Sequence, residues 1–104
     1  MVEILNESNF EDKVLKSSGK VLVEFFATWC PHCRRMEPVV EEISAMLNGQ
    51  AVVYQVDIDE SPDLANEYAP NGFPTFVVFN DGRLSNEETG EQTLDNLLNL
   101  VAAS

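Results

Sequence analysis

The run Val21-Leu22-Val23-Glu24-Phe25-Phe26-Ala27 leaves this chain few ways to fold. A strand that is apolar almost without alternation has to be covered on both faces, so helical layers must lie above and below it. One residue beyond its end come Trp29-Cys30-Pro31-His32-Cys33. The apolar spacing then lengthens to threes and fours at Met36, Val39, Val40, Ile43 and Leu47, the stripe of an amphipathic helix. Both cysteines therefore stand where a buried strand gives way to a helix.

That junction carries chemistry. The first N–H groups of a helix have no partner within it and the helix end is partly positive, so an anion at the N-cap is stabilised. With Cys30 as N-cap, Pro31 takes the first helical position, where its missing N–H costs nothing, and Cys33 lies one turn in. Two cysteines so spaced can close a small disulfide, with the outer one the better thiolate.

The remaining elements follow from pattern. Glu3-Ile4-Leu5 reads as a short strand, and Ser8-Asn9-Phe10-Glu11 has the spacing of a capping box. Phe10, Val14 and Leu15 mark the inner face of a first helix that stops near Gly19. Residues 51–57, rich in β-branched side chains, form a third strand. Ser61 as N-cap and Pro62 at the first position start a short helix that ends before Pro70. Residues 75–79, the Asp81-Gly82 turn and the segment from Arg83 make a hairpin, its second arm polar enough for an edge strand. Leu94, Leu97, Leu98 and Val101 stripe a last helix. The order is βαβαβ-α-ββ-α, and right-handed crossovers make the first three strands parallel. Open sheets of this kind hold their sites at the carboxyl ends of the strands, here just after Ala27.

The chain's 104 residues, 44% of them hydrophobic, suffice for one core, so residues 1–104 are read as a single domain. Eighteen acidic against six basic residues give a net charge of −12, which repels nucleic acid and anionic membranes. The N-terminal Met1-Val2-Glu3-Ile4-Leu5-Asn6 lacks a basic and an apolar region, and no run reaches membrane-spanning length. The expectation is a soluble, cytoplasmic protein. In a reducing compartment two cysteines are more plausibly catalytic than a structural staple. Two cysteines and one histidine, with His32 between the cysteines, are too few for a tetrahedral zinc site.

The Trp29-to-Cys33 segment resembles the active site of the thioredoxin superfamily. The likeness extends over nearly all 104 residues and includes Pro38 in the long helix and Gly72-Phe73-Pro74-Thr75, which resembles the family's cis-proline loop. The resemblance implies an α/β thioredoxin fold, with a central mixed five-stranded sheet flanked by four helices. It also implies a protein-disulfide oxidoreductase in which Cys30 attacks and Cys33 resolves. No bound cofactor is implied, since the Cys30–Cys33 pair carries the electrons. NADPH would supply them through a flavin-containing, thioredoxin reductase-like partner, with a monomer acting in electron transport and redox homeostasis.

By the same resemblance Pro74 is cis, Phe73 lends its backbone to an extended substrate segment beside the cysteines, Thr75 belongs to the same substrate-binding loop, and Trp29 and Gly90 border that groove. Pro38 bends the long helix. Glu24 stands where the family usually has an aspartate that deprotonates the inner cysteine, and Gln55 stands in place of a lysine. Glu24 is therefore either the proton acceptor for Cys33 or a structural carboxylate hydrogen-bonded to Gln55. The commonest family pair between the cysteines is Gly-Pro, whereas Pro31-His32 resembles the pair of strongly oxidising periplasmic disulfide oxidases. Moving proline to the first position frees the His32 N–H to face the Cys30 sulfur, and a protonated His32 adds positive charge. Alternatively His32 is an exposed histidine of little effect. Potentials of such motifs run from about −270 to −120 mV, or about 7 kcal/mol, and this chain is expected between those ends. Arg34 and Arg35 read as solvated charges. The rival functions are a thiol oxidase or disulfide isomerase, a non-catalytic binding module and, more distantly, a metal carrier.

Overall fold

The computed structural model describes residues 2–104, so the part of the N-terminal reading that falls on Met1 lies outside the described residues. Five strands form one sheet in the order β1-β3-β2-β4-β5: β1 (Glu3–Leu5), β2 (Lys20–Phe26), β3 (Ala51–Asp57), β4 (Thr75–Asn80) and β5 (Arg83–Thr89). The first three pair in parallel, while β4 runs antiparallel to β2 and β5 antiparallel to β4. A short π-helical segment (Glu11–Leu15) and three α-helices, α1 (Pro31–Met46), α2 (Pro62–Tyr68) and α3 (Leu94–Ala102), cover the faces. This is the mixed five-stranded sheet with four helices that the family resemblance implied.

Strand alternation divides the core in two. Val21, Val23 and Phe25 point to one face, where they pack with Leu5, Phe10, Val14, Val56, Val77 and Phe79. Leu22 points to the other and meets Met36, Val40 and Ile43 of α1, Leu97, Leu100 and Val101 of α3, and Phe76 and Val78. Leu100, outside the expected stripe of the last helix, is buried with the rest. Rings of Phe10, Phe25, Tyr68 and Phe79 lie 5.4 to 6.5 Å apart in the first of these layers. Burial of both faces explains why β2 shows almost no polar alternation.

Two capping expectations need correction. The turn leading into the first helical segment is closed by Asn6 and Asn9, not by Ser8 and Glu11, and the segment itself has no side-chain cap bond. Asn6 Oδ1 accepts from the Ser8 and Asn9 amides at 2.9 and 3.2 Å, and Asn9 Oδ1 accepts from the Asn6 amide at 2.8 Å. The reciprocal box is the same device built two residues earlier, with an amide side chain in place of Glu. Ser61 does precede α2, but its hydroxyl makes no cap bond. It is buried and, among the described residues, has no hydrogen-bond partner.

The hairpin turn is tied to the neighbouring connection. Asp81 and Gly82 both have positive φ, 53° and 81°, as an Asp-Gly hairpin requires. Gly19 donates its amide to Asp81 Oδ1 at 2.7 Å and accepts from the Asp81 amide at 2.9 Å. Gly82 also lies against the backbone before β2: a Cβ there would stand 2.1 Å from the Leu15 carbonyl oxygen. Gly82→Ala is therefore expected to destabilise the fold by about 2 kcal/mol or more, through φ strain and this clash. The urea midpoint measures the loss, and an unchanged midpoint would show that the turn relaxes freely.

Candidate active site

The buried strand and the helix that follows deliver the two cysteines. After β2 ends, the Cys30 amide donates to the Ala27 carbonyl at 3.2 Å, turning the chain into α1. Cys30 is extended, with φ −90° and ψ 117°, and is the N-cap of α1, with Pro31 in the first turn. Its Sγ accepts from the Cys33 amide at 3.3 Å. The amide at the sulfur is thus that of the third helical residue, as at an ordinary N-cap, and not the His32 amide the sequence pointed to. Moving proline to the first position therefore brings no extra donor to Cys30. His32 itself is left as the feature that sets this motif apart.

Both cysteines are free thiols and each is only 4% exposed, packed with Ala27, Phe26, Ile58 and Phe73. Burial pushes the Cys33 thiol well above the usual thiol range, and hydrogen bonding to Cys30 adds to the shift. Cys33 is accordingly held as a thiol while Cys30 sits at the positive end of a helix.

The loop before β4 closes one side of the site. The Phe73–Pro74 peptide is cis, and the Phe73 carbonyl oxygen stands 4.0 Å from Cys30 Sγ. Trp29 is 58% exposed and meets Phe73 edge to face at 5.6 Å, while its indole N–H donates to Asp59 Oδ2 at 2.8 Å. Thr75 is buried at the start of β4, and its hydroxyl donates to the Gly72 carbonyl at 2.6 Å. Gly90 donates its amide to the Pro74 carbonyl at 2.7 Å and has φ 99°; no atom lies within 4 Å of where its Cβ would be. The turn demands glycine through φ, not through crowding.

Glu24 sits beneath the first turns of α1. Being two residues on from Leu22, it faces the α1 layer, and it is 1% exposed. Parallel register sets Gln55 directly beside it, and Gln55 Nε2 donates to Glu24 Oε1 at 2.8 Å. Among the described residues Oε2 has no hydrogen-bond partner. Burial raises the carboxyl to about 7, against the opposing effect of the Gln55 bond. Glu24 also acts on Cys33 through space, its charge adding to the upward shift of that thiol. Gln55 in turn lines an open cleft with Ile4, Phe26, Glu37, Pro38 and Glu41, so the buried carboxyl is one side chain from solvent.

Glu91 and Arg35, which the sequence left without a role, gather around His32 at the rim. Glu91 Oε1 lies 2.9 Å from His32 Nδ1 and accepts from Arg35 Nε at 2.6 Å. Arg35 Nη2 is 2.7 Å from the same His32 nitrogen. The imidazole and guanidinium hold the Glu91 carboxyl below its ordinary value. Arg34 donates from Nε to the Thr28 carbonyl at 3.2 Å. Neither arginine is a merely solvated charge. Glu91 adjoins Gly90, already assigned to the groove, and Asp59 follows the carboxyl end of β3, where site residues collect. Those positions were the available sequence signals. Among the described residues no group of three or more His, Cys, Asp or Glu side chains is placed to hold a metal ion, and no helix is long and apolar enough to cross a membrane.

The family model for thioredoxin matches residues 1–103. Among curated proteins, a thioredoxin of Chlamydia trachomatis is 36% identical over 102 residues, covering 98% of this chain and 97% of that protein. A thioredoxin of Rickettsia felis is 35% identical over 104 residues, covering 100% and 99%. Protein disulfide isomerase-like 2-3 of Oryza sativa subsp. japonica is 49% identical over 78 residues, 75% of this chain but 18% of that protein. The chain thus spans about a fifth of the length of its plant disulfide-isomerase relatives and nearly all of the bacterial thioredoxins. Because the model match runs through every element that builds the dithiol site, the chain belongs to the thioredoxin family.

Proposed function

We propose that this chain is a protein-disulfide reductase working by dithiol–disulfide exchange. The observation that carries the reading is the Cys30 sulfur at the N-cap of α1, bonded by the Cys33 amide, beside an inner thiol that burial keeps protonated. The Cys30 thiolate attacks one sulfur of a substrate disulfide. That S–S bond breaks, the first substrate thiolate leaves, and a mixed disulfide with Cys30 remains. Cys33 then gives up its proton and attacks the Cys30 sulfur, releasing the second thiolate. The substrate has gained two electrons and the Cys30–Cys33 disulfide has formed.

In this reading Glu24 takes the Cys33 proton, since a carboxyl near 7 can change state at neutral pH. Gln55 connects the carboxyl to the open cleft. The exposed Trp29 edge and the Phe73 backbone receive the substrate segment as an added strand. A flavin reductase drawing on NADPH returns the pair to the dithiol state. The setting we propose is the cytoplasm, with the protein monomeric and serving redox homeostasis; both cysteines belonging to the exchange motif supports this, as does the acidic surface.

Pro31-His32 and the 49% identity to a plant disulfide isomerase-like protein favour a second reading, a more oxidising thiol oxidase or isomerase. Equilibration with a glutathione series separates the two. A potential near −270 mV supports the reductase and one near −120 mV the oxidase. Cys30→Ser is expected to abolish turnover, whereas Cys33→Ser should stop after one exchange and accumulate a mixed disulfide visible by mass. Retained turnover in Cys30→Ser would overturn the assignment of nucleophile.

Glu24 has both a stability signature and a kinetic one. Its folded value of about 7 exceeds the ordinary 4.5, so folding takes up a proton between those values. The buried carboxylate therefore costs stability as pH rises through that window. Glu24→Gln, which keeps an acceptor for Gln55, should gain about 3 kcal/mol at pH 8, with the gain fading below pH 5. Urea unfolding at both pH values measures it, and a gain independent of pH would contradict the raised carboxyl. The same variant should resolve its mixed disulfide at least tenfold more slowly at pH 7.

A further inference from the structure

The contacts at the rim form a closed circuit. The N-cap cysteine of α1 meets the Phe73 carbonyl, and the next residue, Pro74, accepts from the Gly90 amide. Glu91, following Gly90, reaches back to His32 and Arg35 on the first turns of α1. Its backbone is held from both ends. Gly90 is bonded to Pro74, and Thr93 caps α3 by accepting from the Asn96 amide at 3.0 Å. A carboxylate on a backbone so fixed has a defined position relative to the cysteine turn.

The chemistry of His32 Nδ1 makes that position matter. A guanidinium nitrogen only donates, so Arg35 Nη2 serves Nδ1 when that nitrogen is bare. A carboxylate only accepts, so Glu91 Oε1 serves Nδ1 when that nitrogen carries a proton. In either state the ring has a partner on the rim. Among the described residues, the hydrogen bonds at Cys30 Sγ involve the Cys33 amide and the Phe73 carbonyl, and none involves His32.

We propose that Glu91 is a positioning residue that clamps His32 across the groove, pairing the imidazolium charge with a carboxylate and so withholding it from the Cys30 thiolate. The inference rests on the reductase reading and deepens it. A positive charge beside the nucleophile stabilises the thiolate and hence the dithiol, making the pair more oxidising. Glu91, whose Oε1 also holds Arg35, offsets part of that charge and so keeps a Pro-His motif further toward the reducing end than the unpaired imidazolium would. The two residues between the cysteines therefore do not set the potential alone; a carboxylate fifty-nine positions after His32 shares in it.

The test is the equilibrium of the Cys30–Cys33 pair with reduced and oxidised glutathione at pH 6.5, where an ordinary imidazole is half protonated. Glu91→Gln is expected to shift the constant three- to tenfold toward the dithiol, tenfold being about 30 mV. Glu91→Asp, which keeps the charge, should stay within twofold of the unsubstituted protein. In a His32→Ala background, Glu91→Gln should change the constant less than twofold. No shift in Glu91→Gln, or an equal shift with and without His32, would overturn the clamp. The potential of the unsubstituted protein judges the reductase reading, while the differences between variants judge the clamp. Equal thermal midpoints for Glu91→Gln and the unsubstituted protein are expected at this exposed site, and they separate a redox effect from one on folding.

Discussion

Burial of β2 on every side is the constraint on which the rest of this structure depends. The strand is hydrogen-bonded along both edges, to β3 in parallel and to β4 in antiparallel register, and covered on both faces by separate apolar layers. A backbone segment paired along both edges has no freedom to slide, since a one-residue slip would exchange its two faces. Its carboxyl end is therefore a fixed point. The Cys30 amide bond to Ala27 carries that fixity into the first turn of α1, and the thiol chemistry starts there.

The one carboxylate inside that strand shows what the enclosure costs and what it supplies. Glu24 occupies a position where Leu22 and Phe76 define an apolar layer, and Gln55 satisfies only one of its oxygens. The same burial that raises its proton affinity also raises that of Cys33. A strand optimised for stability alone would place an apolar side chain there.

Around this rigid centre the rim is built from loops. Trp29, Asp59, Phe73 and Pro74, Gly90 and Glu91 come from the β2–α1, β3–α2, α2–β4 and β5–α3 connections. They meet because these loops lie at one end of the sheet, with the last brought there by the antiparallel return of β5. The scaffold fixes the sulfurs, while the loops decide what surrounds them.

Much of this was legible in the residues. The apolar run, the change of period after Cys33, the Ser61-Pro62 start, the Asp81-Gly82 turn and the polar edge strand each reflect a local rule, and a local rule leaves a local trace. Where the sequence misled, the competing choice was also local: the Asn6 and Asn9 side chains offered a better box than Ser8 and Glu11, and the third helical amide reached Cys30 before the second. The Glu24–Gln55 bond was one of two readings the sequence allowed, whereas the strand order and the meeting of His32, Arg35 and Glu91 could only be decided by tertiary structure. Period and propensity describe how a side chain relates to its own helix or strand. Charge and hydrogen-bond partners depend on distance in space, and that distance exists only once the sheet has brought its loops together.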